Sequence, residues 1–372
     1  MSSCEHWLAA RTRAFDASGI RKVFDLGAKL HDPINLSIGQ PDFDAPEPVR
    51  QAAVAAIQGG KNGYGLSQGI PALRERLQAE IDCQYGHADR EVFVTSGTSG
   101  GIMLAMLVLL DPGDEAIVCD PYFVMYDALA AVAGARVVYV DTYPDFRIDP
   151  DRVRTAISPR TKMIVLNSPN NPTGAVAAEA EVRAVAELAA ARNLVLLSDE
   201  IYGRFCYDGS FVSPARFNPQ TLVVDGFSKT YGVPGWRLGF AHGPAAVIRE
   251  MIKLQQYSFV CAPHPLQWAA VAALDVDPAE HVAAYRRKRD RIVAGLREHY
   301  ELTVPAGAFY LFPRLPWGGG MEFVARAIQE YQLLVIPGSV FSRRDTHFRI
   351  SYAASDAMIE RGIAALVKLA TP

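Results

Sequence analysis

The chain has 372 residues, half of them apolar, with 37 basic and 40 acidic side chains and a net charge of −3. That balance leaves no basic footprint for nucleic acid or an anionic membrane. Five scattered cysteines without a C-x-x-C pair argue against a disulfide framework or a metal site.

The N-terminus, Met-Ser-Ser-Cys-Glu-His-Trp, has no basic stretch followed by an apolar one, so a cytoplasmic chain without a secretory signal is expected. Residues 1–44 are set apart from the large core by the run Gly39-Gln-Pro-Asp-Phe-Asp-Ala-Pro-Glu-Pro48. Gly63-Tyr-Gly-Leu-Ser-Gln-Gly69 has the wrong spacing for a dinucleotide fingerprint, and no strand precedes it. From there β-branched runs alternate with Ala/Leu/Glu/Arg-rich stretches. Strands are expected at 91–95, 116–119, 136–140, 162–167, 194–199, 222–226 and 237–241, with helices near 100–110, 122–133 and 177–192. The longest apolar run, 102–110, stops at an Asp111-Pro-Gly-Asp turn, far short of bilayer length. Several strands are apolar throughout, which suits a sheet covered on both faces. The alternation predicts an α/β fold with a doubly wound, mostly parallel sheet, whose ligands gather at the strands' carboxyl ends. After residue 275 a charged helix at 278–299, Phe309-Tyr-Leu-Phe, a helix at 321–331 and a strand at 347–352 predict a smaller α+β unit. The expected division is a large domain over 45–275 and a small one over 276–372, packed with residues 1–44.

Polar clusters fall at the expected strand ends. Thr95-Ser-Gly-Thr-Ser-Gly-Gly101 opens a helix. Its small residues let amides approach an anion, and a helix start favours negative charge. It also reads as a plain Gly-rich cap. A third reading is a G-x-S-x-G nucleophile elbow, with Ser99 attacking and a later Asp and His347 as partners, though no HGGG-type segment lies upstream. Asn167-Ser-Pro-Asn-Asn-Pro-Thr-Gly174 is longer than a turn requires and presents amides above the sheet. Asp199, in Ser198-Asp-Glu-Ile-Tyr202, ends an apolar strand, where a carboxylate needs a partner such as a protonated ring nitrogen; a helix cap is the alternative. Lys229 lies just past a strand in Asp225-Gly-Phe-Ser-Lys-Thr-Tyr-Gly-Val-Pro-Gly-Trp-Arg237. Desolvation there would lower its pKa and leave a nucleophilic amine; solvated charge is the alternative for it and for Arg237. Arg349 sits inside an apolar strand, where a guanidinium holds a substrate anion or an internal carboxylate.

Together these clusters resemble the class I/II aminotransferases, fold-type I enzymes dependent on pyridoxal 5′-phosphate. The resemblance runs from Leu36-Ser-Ile-Gly-Gln-Pro-Asp-Phe to Phe348-Arg-Ile-Ser-Tyr-Ala. It rests on Asn-Asn-Pro-Thr-Gly, Ser-Asp-Glu-Ile-Tyr, Ser-Lys-Thr, Gly-Trp-Arg-Leu-Gly and Gly-Ile-Pro-Ala-Leu-Arg-Glu. It implies Lys229 as the Schiff-base lysine and proton carrier, and Asp199 as partner of the pyridine nitrogen. Asn171 and Tyr202 would bond the phenolic oxygen, and Phe123 would stack on the ring. Gly97, Thr98, Ser99 and Arg237 would hold the phosphate. Tyr64 would reach the phosphate of a partner subunit, which implies a homodimer. Arg349, with Gly39 and Asn171 nearby, would bind the substrate carboxylate. One position departs from the pattern: the family often has Ser or Thr three residues before the lysine, and here it is Gly226, with Ser228 as a substitute donor. The places where aspartate-specific relatives read a second carboxylate correspond to Ile20 and Leu107, and Val-Pro-Gly-Trp-Arg-Leu-Gly is similar to tyrosine- and alanine-type spelling. The expectation is ping-pong transfer of an amino group from a neutral or aromatic amino acid to a 2-oxo acid. A lyase or cyclase on the same scaffold is the alternative, and a hydrolase built on Ser99 is a remote one.

Overall fold

The computed structural model describes residues 4–20, 23, 27 and 30–371. The first strand, β1 (Ile34–Asn35), stands apart from the main sheet. That sheet comprises β2 (Arg90–Thr95), β3 (Glu115–Asp120), β4 (Arg136–Asp141), β5 (Thr161–Asn167), β6 (Val195–Asp199), β7 (Leu222–Gly226) and β8 (Gly239–Pro244). Their order is β2-β8-β7-β6-β5-β3-β4; β8 runs antiparallel to both neighbours and every other pairing is parallel.

Successive strand residues enter different cores. Ile117, Ile164 and Leu196 pack with Val185 and Ala189 of the helix Glu179–Ala191. Their chain neighbours Val118, Val165 and Leu197 pack with Leu104 and Ala105 of the helix Gly97–Leu109. Both faces are covered, so the strands read as continuous apolar runs. The same alternation places Asn167, Asp199 and Gly226 on the face of Val165, Leu197 and Val224, beside the start of the helix Gly97–Leu109.

Two expected boundaries move. The helix expected near 100–110 begins earlier, at Gly97, so the glycine run forms its first turn. The strand expected at 237–241 begins at Gly239, because Arg237 has a left-handed φ of 55° that no strand residue adopts.

The remaining strands are β9 (Tyr310–Leu311), β10 (Leu333–Leu334), β11 (Ile336–Pro337) and β12 (Phe348–Ser351). An antiparallel sheet has the order β11-β12-β9, and β1 pairs in parallel with β10. One apolar cluster joins Leu36 to Tyr285 and Ile292 of the helix Ala279–Leu296 and to Leu366 of the helix Asp356–Leu369.

Candidate active site

The carboxyl ends of β5, β6 and β7 and the start of the helix Gly97–Leu109 enclose a cavity of about 220 Å³. It brings together Gly39, Thr98, Ser99, Phe123, Asn171, Asp199, Tyr202, Ser228, Lys229, Arg237 and Arg349. These positions span more than 300 residues of sequence; only the folded chain makes them neighbours.

Lys229 is partly buried, and its Nζ donates to the Gly39 carbonyl at 2.6 Å. Burial, then the Arg349 and Arg237 cations, push its pKa down to about 8. At that pKa about a tenth of the lysine is neutral at pH 7, far more than for an ordinary lysine, and the neutral form attacks carbonyls. Asp199 is buried and accepts from the Tyr126 hydroxyl at 2.7 Å. Burial raises its pKa to about 6; the Tyr126 hydroxyl, the Ile201 amide and the Lys229 charge act the other way. Its carboxylate meets no Arg or Lys in an ion pair among the described residues, so a proton-bearing ligand nitrogen would complete it. Tyr126 was not legible in the sequence, since no local pattern marks a hydroxyl 73 residues from its partner.

The other end of the cavity is built for an anion. Thr98 Oγ1 is buried without a hydrogen-bond partner. Arg237 lies over Gly97: a Cβ there would stand 2.6 Å from the guanidinium, and Gly97 has a φ of 72° that favours glycine. Gly226 also needs to be glycine, because a Cβ would stand 2.9 Å from Thr98 Oγ1 and 3.0 Å from the Leu238 carbonyl. The close approach of β7 to the helix start therefore excludes a hydroxyl at 226, whereas Ser228 is buried and lines the cavity.

Arg349 is fully buried on β12. It donates to Asn171 Oδ1 at 2.9 Å and to the Ser37 carbonyl at 2.7 Å, and its Nε has no partner. Among the described residues no carboxylate pairs with it, which removes the internal salt bridge as its explanation. Rings of Tyr310 and Phe341 lie 4.6 and 4.4 Å from its guanidinium carbon. The Tyr202 and Tyr310 hydroxyls are 2.7 Å apart.

Three expected residues lie elsewhere. Tyr64 is 88% exposed and lines an adjoining open basin of about 980 Å³ that Ser99 and Arg237 also border. Leu107 is outside the cavity, in a surface dip with Lys253 and Tyr257. Helical periodicity turns it away from the face of Ile102, which does line the cavity, as Ile20 does. His347 packs against Phe312 and Tyr143 and shares no cavity with Ser99, so the hydrolase triad is not assembled.

A lysine with a lowered pKa, a buried carboxylate opposite an anion cradle and a buried arginine define an amino-acid-handling site of the pyridoxal-phosphate class. Residues 31–366 match the family described as aminotransferase class I and II. The aspartate/prephenate aminotransferase of Thermus thermophilus is 39% identical over 355 residues, 92% of each chain. Aromatic-amino-acid aminotransferase 2 of Thermococcus litoralis is 34% identical over 380 residues, covering 97% of this chain and 98% of the relative. The solved aspartate aminotransferase from Thermus thermophilus with maleate superposes with a TM-score of 0.93 at 36% identity, covering 97% of this chain and 99% of that one. The chain belongs to the class I and II aminotransferases. It is a pyridoxal-phosphate-dependent transferase; the comparisons favour neither the lyase nor the hydrolase. The unpartnered Thr98 hydroxyl, the Gly97–Arg237 cradle and the unpaired Asp199 carboxylate fit the cofactor's phosphate and ring nitrogen.

Proposed function

We propose that the amino donor is a neutral or aromatic amino acid and that a 2-oxo acid is the acceptor. The observation that carries this is the lining of the cavity. Its only cations among the described residues are Lys229, Arg237 and Arg349, and the surface left for a side chain includes Ile20, Ile102 and Pro234. A second side-chain carboxylate would meet apolar surface there, at a desolvation cost. The relative named for aspartate and prephenate and the neighbour holding maleate favour a dicarboxylic substrate as the second reading. Half-reaction rates with a panel of amino acids separate the two. We expect kcat/KM for phenylalanine, tyrosine or alanine to exceed that for aspartate by about tenfold or more. Aspartate as the best donor would overturn the assignment.

In this reading Arg349 holds the α-carboxylate and fixes how the substrate Cα stands over the ring. Asp199 holds the proton on the ring nitrogen. Asn171 and Tyr202 would donate to the phenolic oxygen, and Phe123 would stack on the ring. Thr98, Ser99, Ser228, Arg237 and the helix start at Gly97 hold the phosphate. When bound, pyridoxal phosphate supplies a sink for the electrons of the Cα–H bond. Neutral Lys229 would accept the substrate's Cα proton and hold it on Nζ for its return. Its lowered pKa supports that role, because a lysine charged throughout the working range could not accept the proton.

We also read 45–275 as the cofactor-binding domain and 276–372, with 1–44, as the small one. The pairing of β1 with β10 and the apolar cluster they share support this. A homodimer is part of the proposal. Tyr64, Leu66, Tyr257, Phe259 and Val260 leave large apolar surface exposed, and Tyr64, Phe259 and Val260 rim the basin beside Ser99 and Arg237. Covering that basin would bring a partner's Tyr64 toward the phosphate site. Sedimentation should give about twice the chain mass of 40.6 kDa; a species of one chain at micromolar concentration would sink the shared site.

A further inference from the structure

Tyr310 was not among the residues expected from sequence, yet it meets three of them: Arg349, Tyr202 and Gly39. It lies on β9 opposite Ser351 of β12, so it shares a face with Arg349, two residues along that strand. Its ring is packed against the Arg349 guanidinium, whose other ring contact is Phe341. Its hydroxyl meets that of Tyr202. A side chain on Gly39 would collide with the same hydroxyl, and the Gly39 carbonyl accepts from Lys229. The residue is only 1% exposed.

We propose that Tyr310 is a positioning residue that sets the direction of the Tyr202 proton. A phenol has one proton to donate. If Tyr202 spends it on Tyr310, nothing remains for the phenolic oxygen of the cofactor. If Tyr310 donates to Tyr202, the Tyr202 proton is free to point into the cavity, and the accepted bond strengthens it as a donor. Asn171 is oriented the same way: its Oδ1 is taken by Arg349, so its amide N–H faces the remaining space. Tyr310 therefore aims one donor through its hydroxyl. Through its ring it supports the Arg349 guanidinium that aims the other and binds the carboxylate. This rests on the proposed function, in which Tyr202 meets the phenolic oxygen.

The test is a pH titration of the absorption band of the cofactor-loaded enzyme, run on wild type, Tyr202→Phe, Tyr310→Phe and Tyr310→Leu. A donor to the phenolic oxygen stabilises its anion and lowers the pKa of the chromophore that shares its proton; losing the donor raises it. Tyr202→Phe should raise that pKa by about one unit, and Tyr310→Phe by roughly half as much. Tyr310→Phe keeps the ring beside Arg349, so KM should stay within about twofold of wild type. Tyr310→Leu removes the ring, and KM should rise by about tenfold. A shift with Tyr202→Phe and none with Tyr310→Phe overturns the proposal while leaving the site reading intact. No shift with either variant overturns both.

Discussion

Replacing Lys229 with alanine should lower turnover by about 10⁴-fold, the upper range for loss of a positioned acid–base group, with the fold retained. The cofactor should still be taken up, because the phosphate cradle does not depend on the lysine. Borohydride treatment of the wild type should fix the cofactor onto the peptide containing Lys229, and the same treatment of Lys229→Ala should label nothing. The variant carries a second signature in stability. Burial and two neighbouring cations lower the lysine pKa to about 8 from an ordinary 10.5. A lowered lysine pKa means that the folded chain disfavours the charged form. The stability it contributes is complete above pH 10.5 and lost as pH falls through 8. Below pH 8 the cofactor-free wild type carries that cost and Lys229→Ala does not. The thermal midpoint of the cofactor-free variant should thus exceed that of the wild type at pH 7, with the difference fading by pH 10. A variant that keeps a tenth of wild-type turnover would remove Lys229 from the chemistry.

The sequence carried the strand-end residues because their oddity is local. Asp199 is a carboxylate closing an apolar strand, Arg349 a guanidinium inside one, and Gly97 to Gly101 a glycine run where a helix opens. Each breaks the pattern of its own neighbours. Tyr126 and Tyr310 break no pattern: one lies on a helix, the other on a two-residue strand, and both look like ordinary core aromatics. Their roles come from partners 73 and 108 residues away. The same limit explains the misplacement of Leu107. Its distance along the helix from Ser99 was legible, but the direction it faces depends on the rotation of the helix against the sheet. The glycine at 226 looked like a lost phosphate ligand. The close approach of β7 to Thr98 shows it to be a steric requirement, which no spacing rule could supply.

Asp199→Asn should make the cofactor-free chain more stable and the enzyme far less active. Asparagine matches the carboxylate in size and can still accept from Tyr126, so packing is preserved. What changes is charge. Burial raises the Asp199 pKa to about 6 from an ordinary 3.8. For a carboxyl group raised in this way, the stability it contributes is full below pH 3.8 and lost as pH rises through 6. The cofactor-free wild type therefore holds an unfavourable buried charge above pH 6. Asp199→Asn should be more stable there by on the order of 2 kcal/mol, and nearly equal to the wild type at pH 4. Binding of the cofactor should reverse the order, since a protonated ring nitrogen gives the carboxylate its missing partner. Asparagine cannot hold that proton by charge, so the ring would become a poorer sink and turnover should fall by about 10³-fold. Thermal melts at pH 4 and pH 8, with and without pyridoxal phosphate, test both halves. If the stability gain were the same at the two pH values, the Asp199 charge would already be compensated within the protein, and its assignment to the ring nitrogen would fail. If the gain appeared only at pH 8 and vanished on loading, the cost of burying this carboxylate would be tied directly to the cofactor that it serves.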